Sequence, residues 1–236
     1  ILPQLEDRIE ELRQINGNQS GKNIQESYKS LQVNYELDNA VIRLWDIDQK
    51  EILIKENLLH NDIIMDVCSS YLGGKMNETR VYAEYKHIKN LIDPNIRAHI
   101  DSPFKMVKVF LLLNDISVDN GPFIYFKKSH HFNKWRILKD LLEFSHVNKK
   151  YFSAYGNYGD NELSKIARNF PEFISGKKVL TGKAGDVIIA DNRGVHQGTI
   201  LREGYRLQLG LSFSPIGENN IESIPNHILK KVSGAI

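Results

Sequence analysis

The chain has 236 residues, of which 41% are hydrophobic and 25% are charged, and its formal net charge is +2. This composition predicts one globular domain spanning residues 1–236, and the nearly balanced charge argues against a nucleic-acid-binding protein. The sequence has no run of about 18 apolar residues, which excludes a predicted membrane-spanning helix.

The cysteine count indicates the redox compartment. Cys68 is the single cysteine, so no disulfide can form within the chain. Together with the absence of a visible secretory signal, this predicts a reducing, cytoplasmic location. Cys68 falls in an apolar helical pattern, and we expect it to be a small core residue.

Residues 1–78 are predicted to form mostly helices and short strands. Helical spacing of apolar residues predicts an amphipathic helix over 2–14, and two strand-like runs follow within 31–47. A second helix is predicted over 52–72, and it ends at the glycine pair 73–74. Its expected apolar stripe consists of Ile52, Leu53, Leu58, Leu59, Ile63, Ile64, Val67 and Tyr71.

From residue 79 the pattern changes to alternation with a period of two. In the strand predicted over 79–88, Tyr82, Glu84 and Lys86 share one face. Two interpretations of this charged face are open. It lines a polar cavity, or it is the solvated face of an edge strand.

The rest of the chain predicts a mainly β core over 79–215. Strands are expected over 104–113 and 123–126, separated by the turn signal Asn120-Gly121-Pro122. A helix over 132–144 and a polar stretch over 145–176 are interpreted as an insertion or lid, 131–176. Further strands are expected over 178–180, 185–190, 194–200 and 205–213, so the fold class is a β-sandwich or barrel with flanking helices.

The last predicted strand has two distinct faces. Leu207, Leu209 and Leu211 alternate with Arg206 and Gln208. The apolar face is expected to join the core. The polar face, on a strand that should be central, is expected to face a cavity.

Three residues have the character of a metal site. His99 and Asp101 are two apart on extended backbone, so their side chains point to the same side. His196 follows much later, on another predicted strand. Two histidines and one carboxylate form the facial ligand set of Fe(II) enzymes that activate O2.

Arg206 follows His196 by ten residues across a tight turn, which places its guanidinium on the neighbouring strand, further into the barrel. A planar guanidinium binds carboxylate in bidentate fashion, and a buried arginine requires an anion. The far carboxylate of a five-carbon keto diacid bound to the metal would lie at this position.

This ordered set resembles the phytanoyl-CoA dioxygenase family of Fe(II)/2-oxoglutarate-dependent oxygenases. The match covers roughly residues 80–215. The matching positions are His99-Ile100-Asp101, a loop from Asn114 ending in Asn120-Gly121-Pro122, Ser129-His130, Ala184-Gly185-Asp186-Val187, His196 and Arg206.

The resemblance implies a double-stranded β-helix (jelly-roll, cupin-like) core. It implies His99, Asp101 and His196 as iron ligands and Arg206 as the anchor of 2-oxoglutarate, with Lys86 as a further polar contact inside the barrel. The expected cofactor is Fe(II), with 2-oxoglutarate and O2 as cosubstrates. The implied reaction hydroxylates a small-molecule substrate and releases succinate and CO2. Related halogenases have a small residue in place of the ligand carboxylate, so Asp101 argues against halogenation.

Two other classes of function are open. A cupin-like metal isomerase or a non-catalytic jelly-roll binding protein would not require Arg206 ten residues after the last ligand. An oxygenase acting on a macromolecule would require an extended basic or aromatic groove, which the sequence does not show.

Overall fold

The fold was obtained as a computed structural model that describes residues 32–36, 40–49, 54–78, 81–87, 101, 105–131 and 176–216. The predicted helices over 2–14 and 132–144 lie outside the described residues, as do all but the last residue of the 145–176 stretch. Within the described part, no helix has the length and apolar character needed to cross a membrane.

The described residues form ten strands in two antiparallel sheets. They are β1 (Gln32–Glu36), β2 (Val41–Trp45), β3 (Met76–Glu78), β4 (Tyr82–His87), β5 (Val107–Leu112), β6 (Phe123–Phe126), β7 (Lys177–Leu180), β8 (Val187–Asp191), β9 (His196–Gln197) and β10 (Tyr205–Pro215). The major sheet has the order β1-β2-β4-β10-β5-β8, with β3 also paired to β10, and the minor sheet has the order β7-β6-β9.

Strand β10 is the centre of the major sheet. Its first half pairs with β4 on one side, its middle pairs with β5 on the other, and its end pairs with β3. Leu207, Leu209 and Leu211 are at most 1% exposed and belong to the main apolar core. The predicted alternation of this strand is therefore confirmed.

The helical region after β2 differs from the prediction of one helix over 52–72. A π-helical turn (Lys55–Leu59) precedes the single described α-helix, α1 (Asp62–Leu72). The break falls at Asn61, because its side chain accepts a hydrogen bond from the backbone N–H of Ile64 at 3.1 Å and so caps a new helix. The predicted stop is confirmed, since Gly73 ends α1 with φ of 93°.

The buried stripe of α1 also differs from the prediction. Ile64, Cys68 and Leu72 face the core, whereas Ile63 is 76% exposed and Val67 is 48% exposed. Both sets have a spacing of four residues, so periodicity alone does not distinguish them. The prediction that Cys68 is a core residue is confirmed.

The two sheets face each other and enclose a polar interior. Phe110 of β5 contacts Phe123 of β6 across this space, with ring centroids 5.3 Å apart. Helix α1 lies against the opposite, apolar face of the major sheet, where Cys68 and Leu209 share one core cluster. The architecture is the predicted double-stranded β-helix.

Candidate functional site

The interior wall of the major sheet carries buried charged side chains from β4 and β10. The register places Arg206 opposite Lys86, and Gln208 opposite Glu84. Glu84 and Lys86 are each 6% exposed, and Arg206 is 7% exposed. Because β4 lies between β2 and β10, its polar face lines the interior, and the solvated edge-strand interpretation is wrong.

Asp101 and His196, two of the three predicted metal ligands, lie side by side. Asp101 Oδ1 is 3.3 Å from His196 Nε2, although 95 residues separate them in the sequence. The third, His99, lies outside the described residues. Among those that are described, no group of three or more His, Cys, Asp or Glu residues could hold a metal ion. The structure thus brings together two of the three predicted ligands.

The ring of His196 is oriented by a hydrogen bond to the backbone. Its Nδ1 is 2.9 Å from the carbonyl oxygen of Gly194. Since a carbonyl oxygen only accepts, Nδ1 carries the proton. In the neutral ring the lone pair of Nε2 then faces the Asp101 carboxylate, and a proton or a cation at Nε2 makes this arrangement favourable.

The spacing of these two atoms fits a divalent ion. Adjacent ligands of an octahedral ion, each about 2.1 Å from it, are about 3 Å apart. The observed separation of Asp101 Oδ1 and His196 Nε2 is 3.3 Å. Imidazole nitrogen and carboxylate oxygen are also the donor types in the two-histidine, one-carboxylate set of non-haem Fe(II) oxygenases.

The second oxygen of Asp101 is held by two other side chains. Lys108 Nζ lies 2.6 Å from Asp101 Oδ2, and the side-chain amide of Asn192 donates to the same oxygen. Burial alone would lower the pKa of Lys108, but the neighbouring Tyr82 and Asp101 raise it above its ordinary value, so the ammonium is charged. The Lys108 side chain is 21% exposed, so most of it is buried.

Asn192 is a site residue that the sequence interpretation missed. It is fully buried, and its backbone carbonyl oxygen also accepts from the Asp101 backbone N–H at 3.2 Å. One signal in the sequence could have identified it: Asn192 lies in the polar turn between β8 and His196. Loops next to a binding site often contribute residues to that site.

Arg206 already has an anionic partner within the protein. Its Nη2 donates to Glu84 Oε1 at 2.6 Å, and its Nη1 donates to the carbonyl oxygen of Gly121. Glu84 Oε2 in turn accepts from Arg43 Nε at 2.8 Å. The prediction that Arg206 requires an anion is met in part by Glu84, which the sequence interpretation did not assign to it.

Glu84 is ionised by its surroundings. Burial alone would raise the pKa of its carboxyl group, but the charges of Arg43, Arg206 and Lys86 hold it well below its ordinary range. Gln208 adds a hydrogen bond to Glu84 at 3.2 Å. The buried carboxylate is thus paired, as a charge inside a protein must be.

The guanidinium of Arg206 retains capacity for a second acceptor. A guanidinium has five N–H donors, and Nε of Arg206 is buried with no hydrogen-bond partner among the described residues. A buried donor without an acceptor costs about 1–3 kcal/mol. An additional carboxylate at this position would remove that cost, so the site fits the predicted distal carboxylate of 2-oxoglutarate.

We expect Gly194→Ala to disturb the support of His196. A Cβ at Gly194 would lie 1.9 Å from the hydroxyl oxygen of Tyr125, which also donates to the carbonyl oxygen of Asp191 at 3.0 Å. Such overpacking should destabilise the protein by about 1–3 kcal/mol in chemical denaturation. The control is Gly176→Ala, since a Cβ at Gly176 meets no described residue within 4 Å; equal stability of the two variants would contradict this account.

Comparison with known proteins supports the fold at low sequence identity. No protein-family model and no curated protein matches the sequence. The structure of SnoK, a non-heme α-ketoglutarate-dependent carbocyclase from nogalamycin biosynthesis, is 14% identical with a TM-score of 0.59, over 94% of this chain and 81% of SnoK. EctD from S. alaskensis with bound iron is 15% identical with a TM-score of 0.52, over 91% of this chain and 68% of EctD.

The chain thus shares its fold with SnoK and with SnoN, which are non-heme α-ketoglutarate-dependent enzymes. A third structure, EvdMO1, is 13% identical with a TM-score of 0.54 over 92% of this chain, but the chain spans only 44% of EvdMO1. At these sequence identities the similarity concerns the fold alone. The narrower resemblance to the phytanoyl-CoA dioxygenases stays a prediction.

Proposed function

We propose that this protein is an Fe(II)- and 2-oxoglutarate-dependent dioxygenase that hydroxylates an unactivated C–H bond of a small molecule. The observation that carries the proposal is the pairing of Asp101 Oδ1 with His196 Nε2 at 3.3 Å inside the barrel. The fixed Nδ1–H of His196 leaves Nε2 as the ligand atom. His99, two residues before Asp101, is proposed as the third ligand.

The protein groups have distinct roles in this proposal. His99, Asp101 and His196 would hold the iron, and Arg206 with Lys86 would bind the distal carboxylate of 2-oxoglutarate. With both bound, iron and 2-oxoglutarate would allow O2 to oxidise a C–H bond of the substrate, and 2-oxoglutarate would be converted to succinate and CO2. Glu84 would orient the Arg206 guanidinium for the cosubstrate, because its Oε1 accepts from Arg206 Nη2 at 2.6 Å.

The fold alone does not select hydroxylation. It is shared by the carbocyclase SnoK and by the epimerase SnoN, whose structure with Fe3+, α-ketoglutarate and nogalamycin RO is 11% identical with a TM-score of 0.57. The choice of hydroxylation rests on the resemblance of the motifs and on the carboxylate ligand Asp101. The choice of a small substrate is supported by SnoN and by EctD, whose structure with 2-oxoglutarate contains 5-hydroxyectoine.

The direct test is turnover of 2-oxoglutarate with Fe(II) and O2 across a panel of small metabolites. Succinate should form faster with at least one panel member, and mass spectrometry should show that this compound gains one oxygen atom. His99→Ala should abolish succinate formation. Product without an added oxygen would indicate cyclisation or epimerisation, and full turnover by His99→Ala would reject the iron site.

We expect Arg206→Lys to weaken the binding of 2-oxoglutarate. Lysine keeps the charge but loses the planar fork that bonds a carboxylate twice. One hydrogen bond to a charged group contributes about 1.5–3 kcal/mol, so the Kd of 2-oxoglutarate, measured by calorimetry on the Mn(II)-loaded protein, should rise about 10- to 100-fold.

The matched control for this variant is Arg202→Lys. The Arg202 side chain is 78% exposed and pairs with Asp119 at 3.3 Å on the surface. Its replacement should leave the Kd of 2-oxoglutarate unchanged. An unchanged Kd in Arg206→Lys as well would show that the distal carboxylate binds elsewhere.

A further inference from the structure

The two oxygens of the Asp101 carboxylate have different surroundings. Oδ1 faces His196 Nε2 at 3.3 Å. Oδ2 accepts from Lys108 Nζ at 2.6 Å and from the side-chain amide of Asn192. One oxygen is directed at the proposed metal position, and the other is bonded to a positive charge and to an amide donor.

We propose that Lys108 and Asn192 are positioning residues that restrict Asp101 to binding the metal through Oδ1 alone. The inference rests on the proposed function. A carboxylate binds a cation in bidentate fashion only when both oxygens are free to approach it. The ammonium of Lys108 repels a metal ion, so Oδ2 cannot turn towards that ion while the Lys108–Asp101 bond is intact.

Lys108 is held in position by the major sheet. It lies on β5, paired with Ser212 of β10 on one side and with Ala190 of β8 on the other. Its Nζ is also 5.5 Å from the centroid of the Phe110 ring, within the range of a cation–π contact. The ammonium therefore reaches Asp101 from a strand inside the sheet, not from a loop.

Asn192 is fixed by the turn between β8 and β9. Its backbone N–H donates to the carbonyl oxygen of Met106 at 2.9 Å, and its own carbonyl oxygen accepts from the Asp101 backbone. The preceding residue, Asp191, is bonded by Arg193 at 2.7 Å and by the hydroxyl of Tyr71 from helix α1. Asn192 therefore holds both the backbone and the side chain of Asp101 from an anchored turn.

Single-oxygen binding by Asp101 matters for the number of open positions on the metal. Three protein donor atoms leave three positions of an octahedral ion open, and a second carboxylate oxygen would occupy one of them. A chelating 2-oxo acid takes two positions, and O2 needs a third. Lys108 and Asn192 would thus preserve the third position.

The test counts water molecules on bound Mn(II), without turnover. At saturating protein, the water-proton relaxation enhancement per bound Mn(II) should fall by about one third in Lys108→Met, because one of three open positions is filled by Oδ2. Asn192→Ala should also lower the relaxation enhancement. Lys108→Arg should have the wild-type value, because the positive charge is kept. Lys105→Met is the control, since Lys105 lies over the Tyr71 ring, 5.2 Å from its centroid, and should change nothing.

Thermal unfolding of each metal-free variant shows whether the variant is folded. If Asn192→Ala is unfolded, the comparison of Lys108→Met with Lys108→Arg decides the question. A folded Lys108→Met with the wild-type relaxation enhancement would overturn this inference but not the proposed metal site. If the wild-type protein binds no Mn(II), or if His196→Ala binds it equally well, the proposed metal site itself is wrong.

Discussion

Glu84→Gln should lower the free energy of unfolding by about 3–5 kcal/mol, the usual cost of leaving a buried charge without its partner. The Glu84 carboxylate bonds Arg206 at 2.6 Å and Arg43 at 2.8 Å. Glutamine keeps the shape of the side chain but removes the negative charge. Two buried or partly buried guanidinium groups then lose their counter-ion, and urea denaturation measures the resulting loss of stability.

The control for this variant is Glu78→Gln, because Glu78 is an exposed residue at the end of β3. Replacement of an exposed carboxylate should change stability by no more than about 0.5 kcal/mol. If Glu84→Gln were as stable as Glu78→Gln, the guanidinium groups of Arg43 and Arg206 would not need Glu84 as their counter-ion.

The contribution of Glu84 should also depend on pH in a defined direction. The pKa of Glu84 is held below its unperturbed value of 4.5 because Arg43 and Arg206 outweigh the effect of burial. The folded protein then binds fewer protons at this group than the unfolded chain, so the contribution is complete well above pH 4.5 and is lost as the pH falls through and below that value. The stability difference between wild type and Glu84→Gln should therefore be constant near neutral pH and should narrow in acid. A difference that stays constant down to about pH 3 would contradict the pairing.

The strand pattern was the most predictable part of this fold. The alternation of apolar and polar residues in β10 is set by the two-residue period of extended backbone, so it correctly predicted which side chains join the core and which face the interior. The same period did not show whether Glu84 and Lys86 line a polar cavity or lie on the solvated face of an edge strand. Only the order of strands in the sheet, in which β4 is central, distinguishes them.

The helix was predicted less well because its signal is ambiguous. Apolar residues continue from residue 52 to 72, and the cap at Asn61 depends on one local hydrogen bond to Ile64. Two stripes with the same spacing, one through Ile64 and one through Ile63, were both compatible with the sequence. The direction from which the sheet approaches decides which stripe is buried.

In the candidate site, the sequence predicted the main residues better than it predicted their hydrogen-bond partners. The ordered motifs predicted that Asp101 and His196 meet, and the structure places them 3.3 Å apart. The partner of Arg206 was missed, because Glu84 reaches it through the register of β4 against β10. Asn192 was missed for a related reason, since its contact with Asp101 forms only when a turn and a distant segment come together.

His196→Ala should weaken the binding of Fe(II) or Mn(II) by more than about 100-fold and should reduce succinate formation to background. Loss of a residue that only supports a ligand typically costs about 10- to 100-fold in metal affinity, so loss of the ligand atom itself should cost more. Calorimetry with Mn(II) measures the first effect, and succinate analysis with Fe(II) and O2 measures the second. His60→Ala is the matched control, since the side chain of His60 is 53% exposed and is paired with Glu56.

Metal-free stability separates a ligand role of His196 from a structural one. The ring is buried and donates one hydrogen bond to Gly194, so its removal should destabilise the metal-free protein by a few kcal/mol at most, from the lost bond and the small cavity. A structural histidine would show that loss with metal affinity unchanged, which would reject the proposed site. For a ligand, added Mn(II) should raise the melting temperature of the wild type but not that of His196→Ala, because an ion stabilises a protein only in proportion to its binding.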